Sequence, residues 1–286
     1  MANGLIVQPR SLIVPRRALR KPARPVLDLN DPINRGRTYL WPIAEGTGVT
    51  TRGMGVADTT VLTWNGTAAN LLWGAGAAGR GGIGISAVAQ DGTRFNGPSG
   101  FFPIPRTRQF TLMLIVRLHT GSGPGQMLFQ GAGTYWNVQF SPVISGTALS
   151  FSVVDSSPAQ RTVTGPLPAA NTPYILIGTW LPGTGIEFFV NGVSQGTTSF
   201  AGTTLRTPTT TFQLGGDSSS AHATSSSYEM LSIWDGTVLT KAQIQRIQIE
   251  PYAGLVEAGP RWRVGTAAAG IEPTPYYYRE QIARVA

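Results

Sequence analysis

The side chains that most often do chemistry are sparse in this 286-residue chain: there is no Cys, His119 and His222 are the only histidines, and Asp and Glu together number fourteen. Without Cys there is no thiol nucleophile, no thiolate zinc ligand and no disulfide. Two histidines this far apart in sequence offer little from which to build a His-rich metal centre. A retaining glycoside hydrolase needs two carboxylates about 5–5.5 Å apart around one bond. The chain has no Glu-x-Asp-x-(x)-Glu cluster, and its strand acids Glu187 and Glu229 stand singly, so no catalysis is expected from them. Gly74-Ala-Gly-Ala-Ala-Gly79 has dinucleotide-loop spacing, but Arg80-Gly-Gly-Ile-Gly84 does not continue as the helix that a pyrophosphate site requires. Its glycines are expected to serve turns. A Ser-His-Asp triad around either histidine has no support in the sequence.

Binding chemistry is better represented. Trp64, Trp73, Tyr135, Trp136 and Trp180 could stack on sugar faces, although aromatics of a β-protein more often fill its core, which is the expected placement. The net charge of +8 is concentrated at one end: residues 1–37 carry eight cations against Asp28 and Asp31, residues 38–252 ten against nine acids, and residues 253–286 four against three. Leu5-Ile6-Val7 recurs seven positions on as Leu12-Ile13-Val14, interleaved with Arg10, Arg16, Arg17, Arg20, Lys21 and Arg24. Pro9, Pro15, Pro22, Pro25 and Pro32 forbid a continuous helix, leaving an extended ribbon whose apolar clusters need a surface to cover them. These twelve apolar and basic residues are candidate partner contacts. Counterion release would also favour nucleic acid, but aromatic interleaving for stacking is missing and Arg outnumbers Lys twenty to two. Forked guanidinium contacts to carboxylates of a protein partner are therefore expected instead. No apolar run approaches the ~18–20 residues of a membrane span, and the first 25 residues lack the apolar stretch of a signal peptide.

The elements that would position these residues are mostly strands. Phe110–Arg117, Leu149–Val154, Tyr174–Trp180, Ile186–Val190 and Thr211–Leu214 are strand-length runs rich in β-branched and aromatic residues. Asn191-Gly192 suits a tight hairpin. One helix is predicted over Leu239–Glu250, with Thr240 and Gln243 forming a capping box and Pro251 ending it. The expected architecture is all-β: an antiparallel jelly-roll sandwich over residues 38–252 with one short C-terminal helix, a basic Pro-rich arm at 1–37 and an extended tail at 253–286.

Six motifs in order resemble the laminin-G-like branch of the concanavalin A-like jelly rolls. They are Tyr39-Leu-Trp-Pro-Ile-Ala-Glu-Gly-Thr-Gly48, Arg94-Phe-Asn-Gly97, Phe110–Arg117 with Ile115 where the family has tryptophan, Phe188-Phe-Val-Asn-Gly192, Leu214-Gly-Gly216 leading to the strand Tyr228–Asp235, and Leu239-Thr-x-x-Gln-Ile244. The resemblance implies a fold that serves lectins, glycan hydrolases, adhesion modules and virion components. It also implies a calcium site at the sandwich rim, for which Asp91 and Asp217 are the nearest candidates, but neither has a neighbouring carboxylate, so no cofactor is expected. Pro251–Leu255 with Pro260-Arg-Trp-Arg-Val264 is similar to the endings of some tailed-phage proteins. Trp262 and the run Tyr276, Tyr277 and Tyr278 add further candidate partner contacts. The expected function is a non-enzymatic bacteriophage virion protein, assembled in the host cytoplasm. Most concretely it is a capsid decoration protein whose arms grip the major capsid protein or other virion subunits, as homo-oligomers or lattice-bound copies. The alternative is an adhesin or tail-associated module for a host-surface glycan, and the third reading is a glycoside hydrolase.

Overall fold

The computed structural model describes residues 25–257 apart from 44–48, 55–59, 67–70, 74–82, 86–93, 120–126, 133–134, 143–147, 158, 168 and 217–225. In chain order the strands are β1 (Pro25–Leu27), β2 (Arg37–Trp41), β3 (Thr50–Arg52), β4 (Val61–Asn65), β5 (Leu71–Trp73) and β6 (Ile83–Ile85). Next come β7 (Arg94–Asn96), β8 (Phe110–Leu118), β9 (Leu128–Ala132), β10 (Tyr135–Pro142), β11 (Ala148–Val154) and β12 (Gln160–Pro166). They are followed by β13 (Pro173–Leu181), β14 (Gly185–Val190), β15 (Val193–Ser199), β16 (Thr210–Leu214), β17 (Ser226–Asp235), the helix α1 (Lys241–Ile249) and β18 (Leu255–Glu257).

All pairings are antiparallel and form a sandwich of two sheets with a short ribbon beside it. The first sheet runs β12-β11-β10-β9-β16-β7-β4-β3. The second runs β15-β14-β13-β8-β17-β6-β5, with β2 also on β17. Asn191 and Gly192 turn β14 into β15 with φ of 49° and 74°, the left-handed geometry their types allow. Thr240 caps α1 in a full capping box with Gln243. The predicted strands and helix are therefore present, shifted by a residue or two at their ends.

Two apolar clusters hold the layers. Between the sheets, the Phe140, Phe151 and Phe188 rings pack with centroids 5.1–6.3 Å apart. Gly178 on β13 faces them, and a β-carbon there would lie 2.5 Å from the Phe151 ring. On the outer face of the second sheet lies the other cluster, where Met113, Ile115, Ile177 and Trp234 meet Ile244 and Ile247 of α1. Covered on both faces, β8 and β17 are buried along nearly their whole length, and β8 reads as a near-continuous apolar run rather than an alternating one.

The domain boundaries differ from those expected. Residues 25–37 and 253–257, assigned from sequence to the arms, belong to the folded body: β1 pairs with β18, and Leu27 and Leu255 pack on the second cluster. Asn34 Nδ2 donates to the carbonyls of Asp28 and Gly254, both at 2.7 Å. The Trp234 indole N–H donates to the Ile33 carbonyl at 2.7 Å. Arg246 of α1 grips Asp31 with two guanidinium nitrogens, at 2.7 and 2.6 Å. Proline was the misleading signal: Pro32 opens the 3-10 turn Pro32–Asn34, where its fixed φ fits and its missing donor is not needed. Arg37 is buried against this join, its guanidinium carbon 4.5 Å over the Trp234 ring. Burial lowers its pKa to about 9, against the opposing pull of the Asp31 charge.

The remaining partner candidates, Leu5 to Arg24 of the arm and Trp262 and Tyr276–Tyr278 of the tail, lie outside the described residues, as do Asp91, Asp217, His222 and the Gly74–Gly79 loop.

Candidate functional site

Side chains alternate between the faces of a strand, so residues that pair in register across a sheet share a face. In the first sheet one such register row crosses all eight strands, with Thr50, Thr63, Asn96, Gln213, Gln139, Ser152 and Thr162 on seven of them. Their chain neighbours Leu62, Trp64, Phe95, Phe212, Leu214, Val138, Phe140, Phe151 and Val163 fill the inter-sheet core, which puts the row on the outer face. A second row there runs Ser141, Ser150 and Thr164. None of the eight strands contains Asp or Glu, so the face offers hydroxyls, amides and the arginines of β3 and β7 but no strand carboxylate.

The hydroxyl end of this face satisfies itself. Ser152 Oγ lies 2.9 Å from Thr162 Oγ1, and Ser141 Oγ lies 3.0 Å from Ser150 Oγ. Arg94 Nε donates to Asn96 Oδ1 at 2.9 Å. The amides in the middle differ: Gln139 is 5% and Gln213 2% exposed, yet the Oε1 of each has no hydrogen-bond partner. A buried amide elsewhere in the protein shows the contrast. Gln130, on the core side of β9, accepts from the Ile104 N–H at 3.1 Å and donates to the Ile104 carbonyl at 3.2 Å. Leaving a buried acceptor unpaired costs roughly 1–3 kcal/mol, so two on one row call for an explanation.

The other predicted chemistry is placed as follows. Glu187 and Glu229 both lie in the second sheet, away from the row. Glu229 is fully buried and accepts a hydrogen bond from the Tyr252 hydroxyl. Glu187 accepts from Ser194 Oγ at 2.7 Å and lies 3.8 Å from Lys241 Nζ. Trp64 and Trp180 are core residues, as expected. Sequence reading missed a chain of polar contacts at the end of β8: His119 Nε2 is 2.6 Å from Ser227 Oγ, and His119 Nδ1 is 3.2 Å from Asn171 Oδ1. This matches the order of a nucleophile, a base and an orienting amide, but Ser227 is fully buried in β17 and no carbonyl carbon could approach its oxygen. Among the described residues no three His, Asp or Glu side chains are grouped to hold a metal ion.

A family model described as the concanavalin A-like lectin/glucanases superfamily matches residues 87–245, more than half of the chain. The chain belongs to this superfamily. No curated protein matches it. Among solved structures, the binding domain of Paraclostridial Mosquitocidal Protein 1 superposes with a TM-score of 0.59 at 8% identity, covering 76% of this chain and 52% of that one. The botulinum neurotoxin serotype G binding domain gives 0.57 at 9% identity, covering 74% and 50%. A Trypanosoma rangeli sialidase in complex with sialic acid gives 0.55 at 14%, covering 76% and 33%. The chain thus spans about half or a third of these proteins, and at such identities the likeness is one of fold.

Proposed function

We propose that this chain is a non-catalytic, lectin-like module that binds a neutral glycan across the outer face of the first sheet, displayed on a tailed-phage virion of the kind its sequence resembles. The observation that carries this reading is the register row across the first sheet, a hydroxyl or amide side chain at seven of its eight positions with no Asp or Glu in any of its strands. A sugar is a dense array of O–H groups, which a row of hydroxyls and amides complements with both donors and acceptors. A neutral ligand fits the hydroxyls and amides of the row, which hydrogen-bond without charge, and the arginines of the face stand at one end, on β3 and β7. A hydrolase finds no support in the strands of this face, where the acid and nucleophile of a glucanase would stand. The expected capsid-decoration role draws only on the composition of the flanking segments, whereas the adhesin reading draws on those segments and on the sheet face. The toxin binding domains share its fold and, by their names, bind.

A glycan array probed with the full chain tests the proposal, followed by calorimetry on the best neutral oligosaccharide. Thr63→Ala and Asn96→Ala, at the accessible positions of the row, should each weaken binding about tenfold, the equivalent of one hydrogen bond. Gln213→Met should raise the unfolding midpoint, because it removes an unsatisfied acceptor. An array without neutral ligands, or binding that survives both alanine variants, would overturn the reading.

A further inference from the structure

Asparagine followed by glycine is the dipeptide most prone to rearrange on its own, because glycine lets the next backbone nitrogen swing onto the side-chain carbonyl. The sequence holds four such pairs, at Asn3, Asn65, Asn96 and Asn191. Asn3 lies outside the described residues, and the fold treats the other three differently.

At Asn96 both reacting groups are engaged. Its Oδ1 accepts from Arg94 Nε at 2.9 Å, the Gly97 N–H donates to the Phe212 carbonyl at 2.8 Å, and a β-carbon on Gly97 would lie 2.6 Å from the Phe101 ring. Asn191 is tied to β13 twice: its Oδ1 accepts from the Ile175 N–H and its own N–H donates to the Ile175 carbonyl, both at 2.9 Å. Asn65 has no such restraint. It is the exposed last residue of β4, and Gly66 after it stands in a bend with φ of 152°. Among the described residues neither the Asn65 carboxamide nor the Gly66 N–H has a hydrogen-bond partner.

We infer that Asn65 is a self-modification site, converted slowly by water to a carboxylate on the outer face of the first sheet. This goes beyond the glycan reading and does not depend on it. The Gly66 nitrogen attacks Asn65 Cγ, giving up its proton to hydroxide. A new N–C bond forms, and the Cγ–Nδ2 bond breaks to release ammonia. Water then opens the cyclic imide at either carbonyl, leaving aspartate or the isomer whose backbone runs through the side chain. Asn65 and Arg94 pair in register and share a face, so the new negative charge stands opposite a guanidinium that already donates to the Asn96 amide.

Peptide mapping by mass spectrometry tests this on the full chain, held in mildly alkaline buffer both folded and in urea. In urea the three sites should convert at similar rates. Folding should slow Asn96 and Asn191 by about tenfold or more, since each reacts only after its hydrogen bonds open, and should leave Asn65 close to its rate in urea. Gly66→Ala should slow conversion at Asn65 alone. Asn65→Gln, which leaves the Gly66 bend intact, should stay unconverted at that position over the same interval, and Asn65→Asp should co-elute with the converted chain on a cation exchanger. Three results would each overturn the inference: Asn65 slowed by folding as much as the other two, either of those converting as fast as Asn65 in the folded chain, or Asn65→Gln converting at the original rate.

Discussion

Gly178 shows how much a single missing atom can matter in this sandwich. Its hydrogen faces the Phe151 ring where two sheets meet, and Gly178→Ala should destabilise the fold by ~1–3 kcal/mol, as overpacking does in a filled core. Urea titration would show this as a lower midpoint with an unchanged slope. Among the described residues, two carboxylates have pKa values lowered by folding. At Asp31 burial works to raise the pKa, but hydrogen bonds from Arg246 and the Ile33 N–H, with the charges of Arg246 and Arg37, hold it below its ordinary 3.8. At Asp155 burial likewise works upward and is outweighed by hydrogen bonds from Ser157 and the Ala159 N–H and by the Arg161 charge. The unfolded chain therefore takes up these protons first as pH falls. Their stabilisation is complete above the ordinary value and is lost as pH drops through the depressed ones. Thermal unfolding followed from pH 5 downward should fall steeply below about pH 4, and Asp31→Asn with Asp155→Asn should flatten that fall.

At the scale of elements, the ribbon and its 3-10 turn tie β17 and α1 together. Cutting the chain to residues 38–252 removes the acceptor of the Trp234 indole, the partner of Arg246 and the cover of the second cluster. That fragment should unfold several degrees below residues 25–257, since one buried donor left unpaired already costs ~1–3 kcal/mol. Calorimetry on the two fragments decides it. The strands, the Asn191-Gly192 hairpin and the α1 cap were legible in the sequence because each depends on neighbours a few residues away. The amide row was not, because Asn96, Gln213 and Gln139 become neighbours only through the register of four separate strands. The alternations Gln139-x-Ser141 and Ser150-x-Ser152 were its one local trace, marking strands with a polar outer face. Ser227, His119 and Asn171 were hidden for the same reason.

For the whole molecule, residues 25–257 are neutral and the net charge of +8 lies on segments 1–24 and 258–286. The full chain should bind a cation exchanger at neutral pH, and residues 25–257 alone should pass through it, with solubility near its minimum there. Glycan binding by the body should change little with salt, because the amide row exchanges hydrogen bonds rather than counterions.

The register of β1 and β18 also settles how the domain would carry a load. Pulled apart by its two flanking segments, the ribbon opens like a zipper from the Pro25 and Glu257 end, its rungs strained one after another. Held by both segments on one support and tugged from the opposite sheet face, it bears no such sequential strain, and the tension passes through the packed layers instead. In a force-clamp experiment the first geometry should yield at low force in an early small step, and the second should hold until the sandwich itself gives way.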